Sequence, residues 1–185
     1  MIYRATASDT TTGSAIDKDA IAALFKAVFS ASEGETEGAL IGGLAKDMFD
    51  KTPPDKLFNF VAEHKRQIVG SIFFSQLDFG DDSLAYILSP VAIHTDFQGQ
   101  GIGQALIRYG LDVLKENGTE WVLTYGDPNF YCKVGFEPVS DKKIVPPVPL
   151  SYPHGWLGQS LTETAITNVS GACRCVEALS DPIYW

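Results

Sequence analysis

Between an apolar, strand-like run and a stretch of helical periodicity lies Gln98-Gly99-Gln100-Gly101-Ile102-Gly103, and this junction limits the fold more than any other segment. The run ahead of it, Tyr86-Ile87-Leu88-Ser89-Pro90-Val91-Ala92-Ile93, has the length and β-branched content of a buried strand. Behind it, Ile102, Leu106, Tyr109 and Val113 recur at helical spacing, and Asn117-Gly118 supplies a helix stop. A strand, a glycine-rich turn and a helix start in that order gather backbone N–H groups at the positive end of a helix dipole. Such a place suits a phosphate or pyrophosphate.

Spacing narrows the ligand. A Walker loop requires Lys-Ser or Lys-Thr after its second glycine, and Ile102-Gly103 follows Gly101 here, so a nucleotide triphosphatase does not fit. A dinucleotide fingerprint fails as well, because positions 104 and 106 are Gln and Leu where it needs glycine. Six residues with three glycines also suit a plain strand-to-helix turn, and this segment alone leaves that alternative open.

A second segment follows: a strand-like run, Trp121-Val122-Leu123-Thr124-Tyr125, then Gly126-Asp127-Pro128-Asn129-Phe130-Tyr131-Cys132-Lys133-Val134-Gly135-Phe136. The Gln-x-x-Gly-x-Gly run resembles the pyrophosphate loop of the GNAT superfamily of acyl-CoA-dependent N-acyltransferases. Tyr131, four residues before Gly135-Phe136, resembles the tyrosine of that family's second conserved block. The Gly-Asp-Pro-x-Phe-Tyr lead-in is similar to one bacterial subgroup of predicted acetyltransferases. The likeness is close over residues 57 to 140 and loose at both ends. Thr95, Lys133 and Val134 depart from the residues usual in the family without removing a known chemical role.

The elements read along the chain agree with that resemblance. Ile21, Leu24, Phe25, Val28 and Phe29 make an apolar helical stripe capped by Asp17, and Leu40, Ile41, Leu44 and Met48 mark a second helix weakened by Gly42-Gly43. Leu57 to Ala62 and Gln67 to Leu77 read as strands joined at His64-Lys65-Arg66, and Asp78 to Ser83 as a turn. The expected fold is α/β (α+β): the GNAT fold, a central mixed, mostly antiparallel sheet splayed at the cofactor strand and flanked by helices. Residues 1–185 form one acyl-CoA N-acyltransferase domain, with a core over 1–140 and an acceptor-side segment over 141–185. In that segment Pro146-Pro147-Val148-Pro149 cannot lie within a sheet, while stretches near Ala165 and over Gly171 to Ala178 alternate like strands. Tyr152, His154, Trp156 and Tyr184 are either acceptor-pocket residues or core and dimer packing, with packing favoured.

Composition excludes several classes. Hydrophobic residues are 45% of the chain, too many for a disordered polypeptide, and no apolar run approaches the roughly 20 residues of a membrane span. A net charge of −9 argues against nucleic acid, which requires a concentrated basic face. The N-terminal residues lack a secretory pattern, and Cys132, Cys173 and Cys175 lack zinc-ligand spacing, so reduced thiols in a cytoplasmic protein are expected and no metal.

What the resemblance implies for the site is specific. Gln98, Gly99, Gln100, Gly101, Ile102 and Gly103 hold the pyrophosphate of acetyl-CoA, Val91, Ala92 and Ile93 pair by main chain with its pantetheine arm, and Asn129 contacts the cofactor or only caps a turn. Tyr131 is the expected general acid for the departing thiolate: a thiol ionises near 8.5 and a phenol near 10, so a proton can be shared without a large shift. No residue stands out as general base among Tyr86, Ser89, His94, Glu33, Glu35 and Glu37. The function expected is acetyl transfer from acetyl-CoA to a primary amine, on a small molecule or a peptide, in a ternary complex. A homodimer is compatible with the resemblance. The alternative is a non-catalytic acyl-CoA-binding or sensor module of the same fold.

Overall fold

The computed structural model describes residues 1–6, 17–166 and 170–185. In chain order these form β1 (Ile2–Ala5), α1 (Lys18–Glu33), α2 (Glu35–Lys51), β2 (Leu57–His64), β3 (Gln67–Leu77) and β4 (Ala85–Ile93). Then come α3 (Ile102–Glu116), β5 (Trp121–Tyr125), α4 (Pro128–Tyr131), β6 (Glu137–Pro138), β7 (Ile144–Val145), β8 (Trp156–Ser160) and β9 (Gly171–Ala172). Seven strands hydrogen-bond in the order β1-β2-β3-β4-β5-β8-β6, and β7 pairs with β9 in a separate ribbon. The β1–β2, β5–β8 and β8–β6 pairs are antiparallel, and β4–β5 is parallel. The expected α/β class, with a mostly antiparallel seven-strand sheet and flanking helices, is the one the chain adopts.

The residues gather into two compact units, Met1–Phe73 with Pro90–Gly110, and Phe74–Ser89 with Leu111–Trp185. In the first, the Asp17 carboxylate accepts from the Ala20 N–H at 2.8 Å and starts α1. Gly34, at φ 99°, ends α1 and begins α2, so the two helices form a tight antiparallel hairpin. Phe25 of α1 and Phe49 of α2 meet Phe73 of β3, with ring centroids 5.6 and 5.0 Å apart, while Phe60 of β2 meets Tyr109 of α3 edge-on at 5.6 Å. The β2–β3 hairpin turns through Lys65 and Arg66, both at positive φ.

In the second unit, β4 and β5 pair from Ala85–Trp121 to Leu88–Thr124. Leu88–Thr124 is the last rung they share; β5 ends at Tyr125 and β4 runs on to Ile93, its residues from Pro90 belonging to the first unit. Trp156 is wholly buried, and its indole N–H donates to the Ile144 carbonyl at 2.9 Å.

Two expectations for the C-terminal part are corrected. Of the strand expected over Gly171 to Ala178, only Gly171–Ala172 pairs with β7; Arg174 makes a single bridge to Asp78, and Glu177–Leu179 is a 3-10 turn. Hydrogen bonds to the separated partners Lys143, Val145 and Asp78 take this segment out of regular alternation. No strand forms at Ala165, although residues 167–169 lie outside the described set. Instead Trp156–Ser160, unassigned from sequence, is the strand that lines β5.

Candidate functional site

The glycine turn lies wholly in the first unit. Strand β4 ends at Ile93, a 3-10 turn runs from Thr95 to Phe97, and residues 98–101 stand exposed ahead of α3. Gly99 and Gly101 adopt φ of 71° and 77°, a left-handed conformation that disfavours other residues, and a Cβ at either would meet nothing within 4 Å. The first helical bond of α3 runs from the Ala105 N–H to the Gly101 carbonyl at 3.0 Å, so the N–H groups ahead of Ala105 have no helical acceptor. Free amides, a helix N-terminus and open space above two glycines fit an anionic diphosphate. Gly103 sits within the first turn of α3, outside the positive-φ region.

Side chains brace this turn from within. Gln98 Nε2 donates to the Ile93 carbonyl at 2.9 Å and Gln100 Nε2 to the Asp96 carbonyl at 3.0 Å. The Phe97 ring lies 5.4 Å from that of His64 and 5.9 Å from that of His94. The His94 N–H donates to the Val69 carbonyl, fixing the end of β4 against β3. Val91, Ala92 and Ile93 follow the rungs shared with β5, and the Ile93 carbonyl already accepts from Gln98.

Tyr131 and Asn129 belong to the second unit. Asp127 caps α4, its carboxylate accepting from both the backbone N–H and the Nδ2 of Asn129 at 2.9 and 3.0 Å. Asn129 thus has the turn-forming partner that its position allows. The Tyr131 ring lies edge-on to Phe130 and Phe136, at 5.1 and 5.8 Å, and covers Gly126. Burial pushes the Tyr131 phenol above its ordinary pKa and the charge of Asp127 adds to the rise, while Thr124 stands within hydrogen-bonding reach of the phenol. The phenol is protonated at neutral pH, as an ordinary phenol is, and burial makes it a weaker acid.

The sequence reading missed Thr124 and Gly126 as neighbours of Tyr131, although Gly126 opens the block that drew attention to the tyrosine. Of the acceptor-pocket candidates, Trp156 is core, and Tyr152 and His154 are exposed beside one another, with centroids 5.8 Å apart. The Tyr125 hydroxyl accepts from the Tyr152 N–H at 2.7 Å and lies 2.9 Å from Ser151 Oγ, tying this turn to the end of β5. Glu33 and Glu35 are exposed, as a solvated helical face would have them. Among the described residues no group of three metal-ligating side chains stands together, and no helix is long and apolar enough to cross a membrane.

Residues 55–138 match the acetyltransferase (GNAT) domain family. The chain is 34% identical over 125 residues to the uncharacterized N-acetyltransferase YjhQ of Escherichia coli K12, covering 64% of this chain and 68% of that one. It is 33% identical over 124 residues to the uncharacterized N-acetyltransferase YhbS of the same strain, covering 66% and 69%. The crystal structure of YhbS from Escherichia coli in complex with CoA superposes with a TM-score of 0.77 at 26% identity, over 97% of this chain and 92% of that one. A GNAT acetyltransferase from Brucella melitensis in complex with acetyl-CoA shares the fold, with a TM-score of 0.66 at 22% identity over 96% and 97%.

Proposed function

The chain belongs to the GNAT acetyltransferase family, and on that premise we propose that it transfers an acetyl group from acetyl-CoA to a primary amine by direct attack in a ternary complex. The observation that carries this reading is the exposed turn at residues 98–101, with two positive-φ glycines under open space at the head of α3. The amides of Gly99, Gln100, Gly101, Ile102 and Gly103 would grip the diphosphate, with the α3 dipole aligned toward it. Gln98 would act from behind, by shaping the turn. The stretch Val91 to Ile93, beyond the rungs shared with β5, would offer main-chain groups to the pantetheine arm, and an N–H there would polarise the thioester carbonyl, a contribution of a few kcal/mol.

Acetyl-CoA supplies an acyl group already activated as a thioester. Tyr131 would present its O–H to the leaving sulfur. A phenol held protonated is in the state a donor must occupy, and because burial also makes it a weaker acid, its contribution is a hydrogen bond that strengthens as charge builds on sulfur. The incoming amine needs no dedicated base if its neutral fraction attacks directly. The acceptor in this reading is a small molecule or a peptide, and the setting a reducing cytoplasm, in keeping with cysteines that are all free.

The test is a panel of primary amines (spermidine, kanamycin, lysine, a peptide N-terminus) assayed for thiol release from acetyl-CoA, beside calorimetric titration with CoA. Turnover with at least one amine, falling at least tenfold in Tyr131→Phe, is expected. Binding without turnover on any amine would make the chain a CoA-binding module. Absence of binding at millimolar CoA would end the reading altogether.

A further inference from the structure

The backbone at Gly126 does not call for glycine, since its φ lies outside the left-handed region. The space above it does. A Cβ at residue 126 would stand 2.6 Å from Cε2 of Tyr131, 3.4 Å from Cδ2 and 3.6 Å from Cζ. Carbon atoms in ordinary contact keep about 3.5–4.0 Å, so the ring would have to retreat by about 1 Å. Retreat is obstructed, because the ring is flanked edge-on by Phe130 and by Phe136, and Phe136 is itself buried. Residue 126 cannot give way either. Its N–H donates to the Gly155 carbonyl at 3.0 Å, and Gly155 lies so close that a Cβ on it would stand 2.9 Å from the Gly126 oxygen.

Thr124 lies in β5 and Gly126 in the bend just past its end, and Tyr131 reaches both: its phenol is a hydrogen-bonding neighbour of Thr124 and its ring lies over Gly126. Thr124 is wholly buried and donates its hydroxyl to the Leu88 carbonyl at 2.9 Å, which fixes its rotamer beside the phenol.

We propose that Gly126 and Thr124 are positioning residues for Tyr131: the missing side chain at 126 sets the depth of the ring, and the anchored hydroxyl at 124 sets where the phenol comes to rest. The inference rests on Tyr131 being the donor to the leaving sulfur and extends it to the residues that aim it. It also explains why a glycine with no conformational need for being one stands at the end of β5.

The experiment uses the full chain labelled with 13C at tyrosine Cζ, so that the Tyr131 phenol is titrated directly by NMR with no ligand present. Thiol release is followed in parallel from acetyl-CoA with the fastest amine of the panel, or with water as acceptor. Gly126→Ala is expected to move the Tyr131 titration and to lower kcat by about 10- to 100-fold, as a misplacement of this size does. KM for acetyl-CoA should stay within twofold, and the same substitution should add less than twofold in a Tyr131→Phe background. Thr124→Val should move the titration as well, and Thr124→Ser should restore it. If the Tyr131 titration is the parent's in both Gly126→Ala and Thr124→Val, the inference is overturned whatever the rates. If Tyr131→Phe keeps turnover within twofold, the donor reading fails instead, and the titration still decides whether these two residues place the ring. Should Gly126→Ala not fold, the Thr124 pair decides by the same titration.

Discussion

The side-chain amide of Gln98 donates to the backbone carbonyl of Ile93 at 2.9 Å, tying the first residue of the glycine turn to the last residue of β4. Gln100 does the same for Asp96. Both glutamines bond the protein's own main chain, and the two positive-φ glycines alternate with them, so the amide side chains hold the turn open. A neutral hydrogen bond of this kind contributes about 0.5–1.5 kcal/mol. Gln98→Ala should therefore raise the Kd for CoA by about 3- to 10-fold in calorimetry and lower the melting temperature by about 1–6 °C. An unchanged Kd would show that the turn keeps its shape without this tie.

The α1–α2 hairpin makes a paired prediction about glycine. A Cβ at Gly38 would lie 2.0 Å from Ser30 Oγ and, less forgivingly, 2.6 Å from the Lys26 carbonyl and 2.7 Å from the Ser30 nitrogen. Gly43, five residues on, is exposed and has nothing within 4 Å. Gly38→Ala should destabilise by about 1–3 kcal/mol through overpacking. Gly43→Ala should stabilise by up to about 1 kcal/mol, because only its helix propensity changes. Urea denaturation of the two variants checks both signs at once, and equal effects would refute the packing argument.

The same residue type explains where the sequence was legible and where it was not. The turn at 98–103 and the helices around it were readable because the information is local: two glycines at positive φ, a cap at Asp17 and apolar residues at helical spacing. Strand β8 was not. Its Trp-Leu-Gly-Gln-Ser sequence carries Gly158, which reads as a breaker, yet a Cβ there would stand 2.8 Å from Leu123 and 3.0 Å from Ile166. Gly158 is there because neighbouring elements come close, and no local pattern contains that. Gly42 similarly weakened the reading of α2 while serving its packing on Lys26. In the opposite sense, the alternation from Gly171 to Ala178 promised a strand that hydrogen bonds to separated partners break up. Tyr131 was legible only through its resemblance to a family block, and its neighbours Thr124 and Gly126 only through the fold.

Asn59 is a buried polar hub linking the exit of β1 to β2 and β3. Its Oδ1 accepts from the Thr6 hydroxyl at 2.8 Å, and its Nδ2 donates to Ser71 Oγ and to the Ile72 carbonyl, each at 2.9 Å. Asn59→Leu keeps the volume but leaves these buried groups without partners. The expected cost is about 1–3 kcal/mol, read as a lower urea midpoint at unchanged slope. A variant as stable as the parent would mean that the three partners find others.

Cys173 carries a pH dependence whose sign follows from its surroundings. It is 3% exposed, its thiol donates to the Val145 carbonyl at 3.3 Å, and burial, with Cys175 adding, pushes its pKa up to about 12. In the unfolded chain a cysteine ionises near 8.5. Above that pH the unfolded state sheds a proton that the folded state retains, so stability falls as pH rises, by at most about 1.4 kcal/mol per pH unit, until the folded thiol also ionises. Below it the thiol is neutral in both states and contributes no slope. Cys175 and Tyr131, both raised, act in the same direction, the tyrosine only above about 10. Cys173→Ala should therefore flatten the decline of urea stability between about pH 8.5 and 10 without removing it. The exposed Cys132 should react with a thiol reagent at pH 8 in the native protein, and Cys173 only after unfolding. A parent and a Cys173→Ala variant whose stabilities fall in parallel across that window would place the Cys173 thiol in contact with solvent.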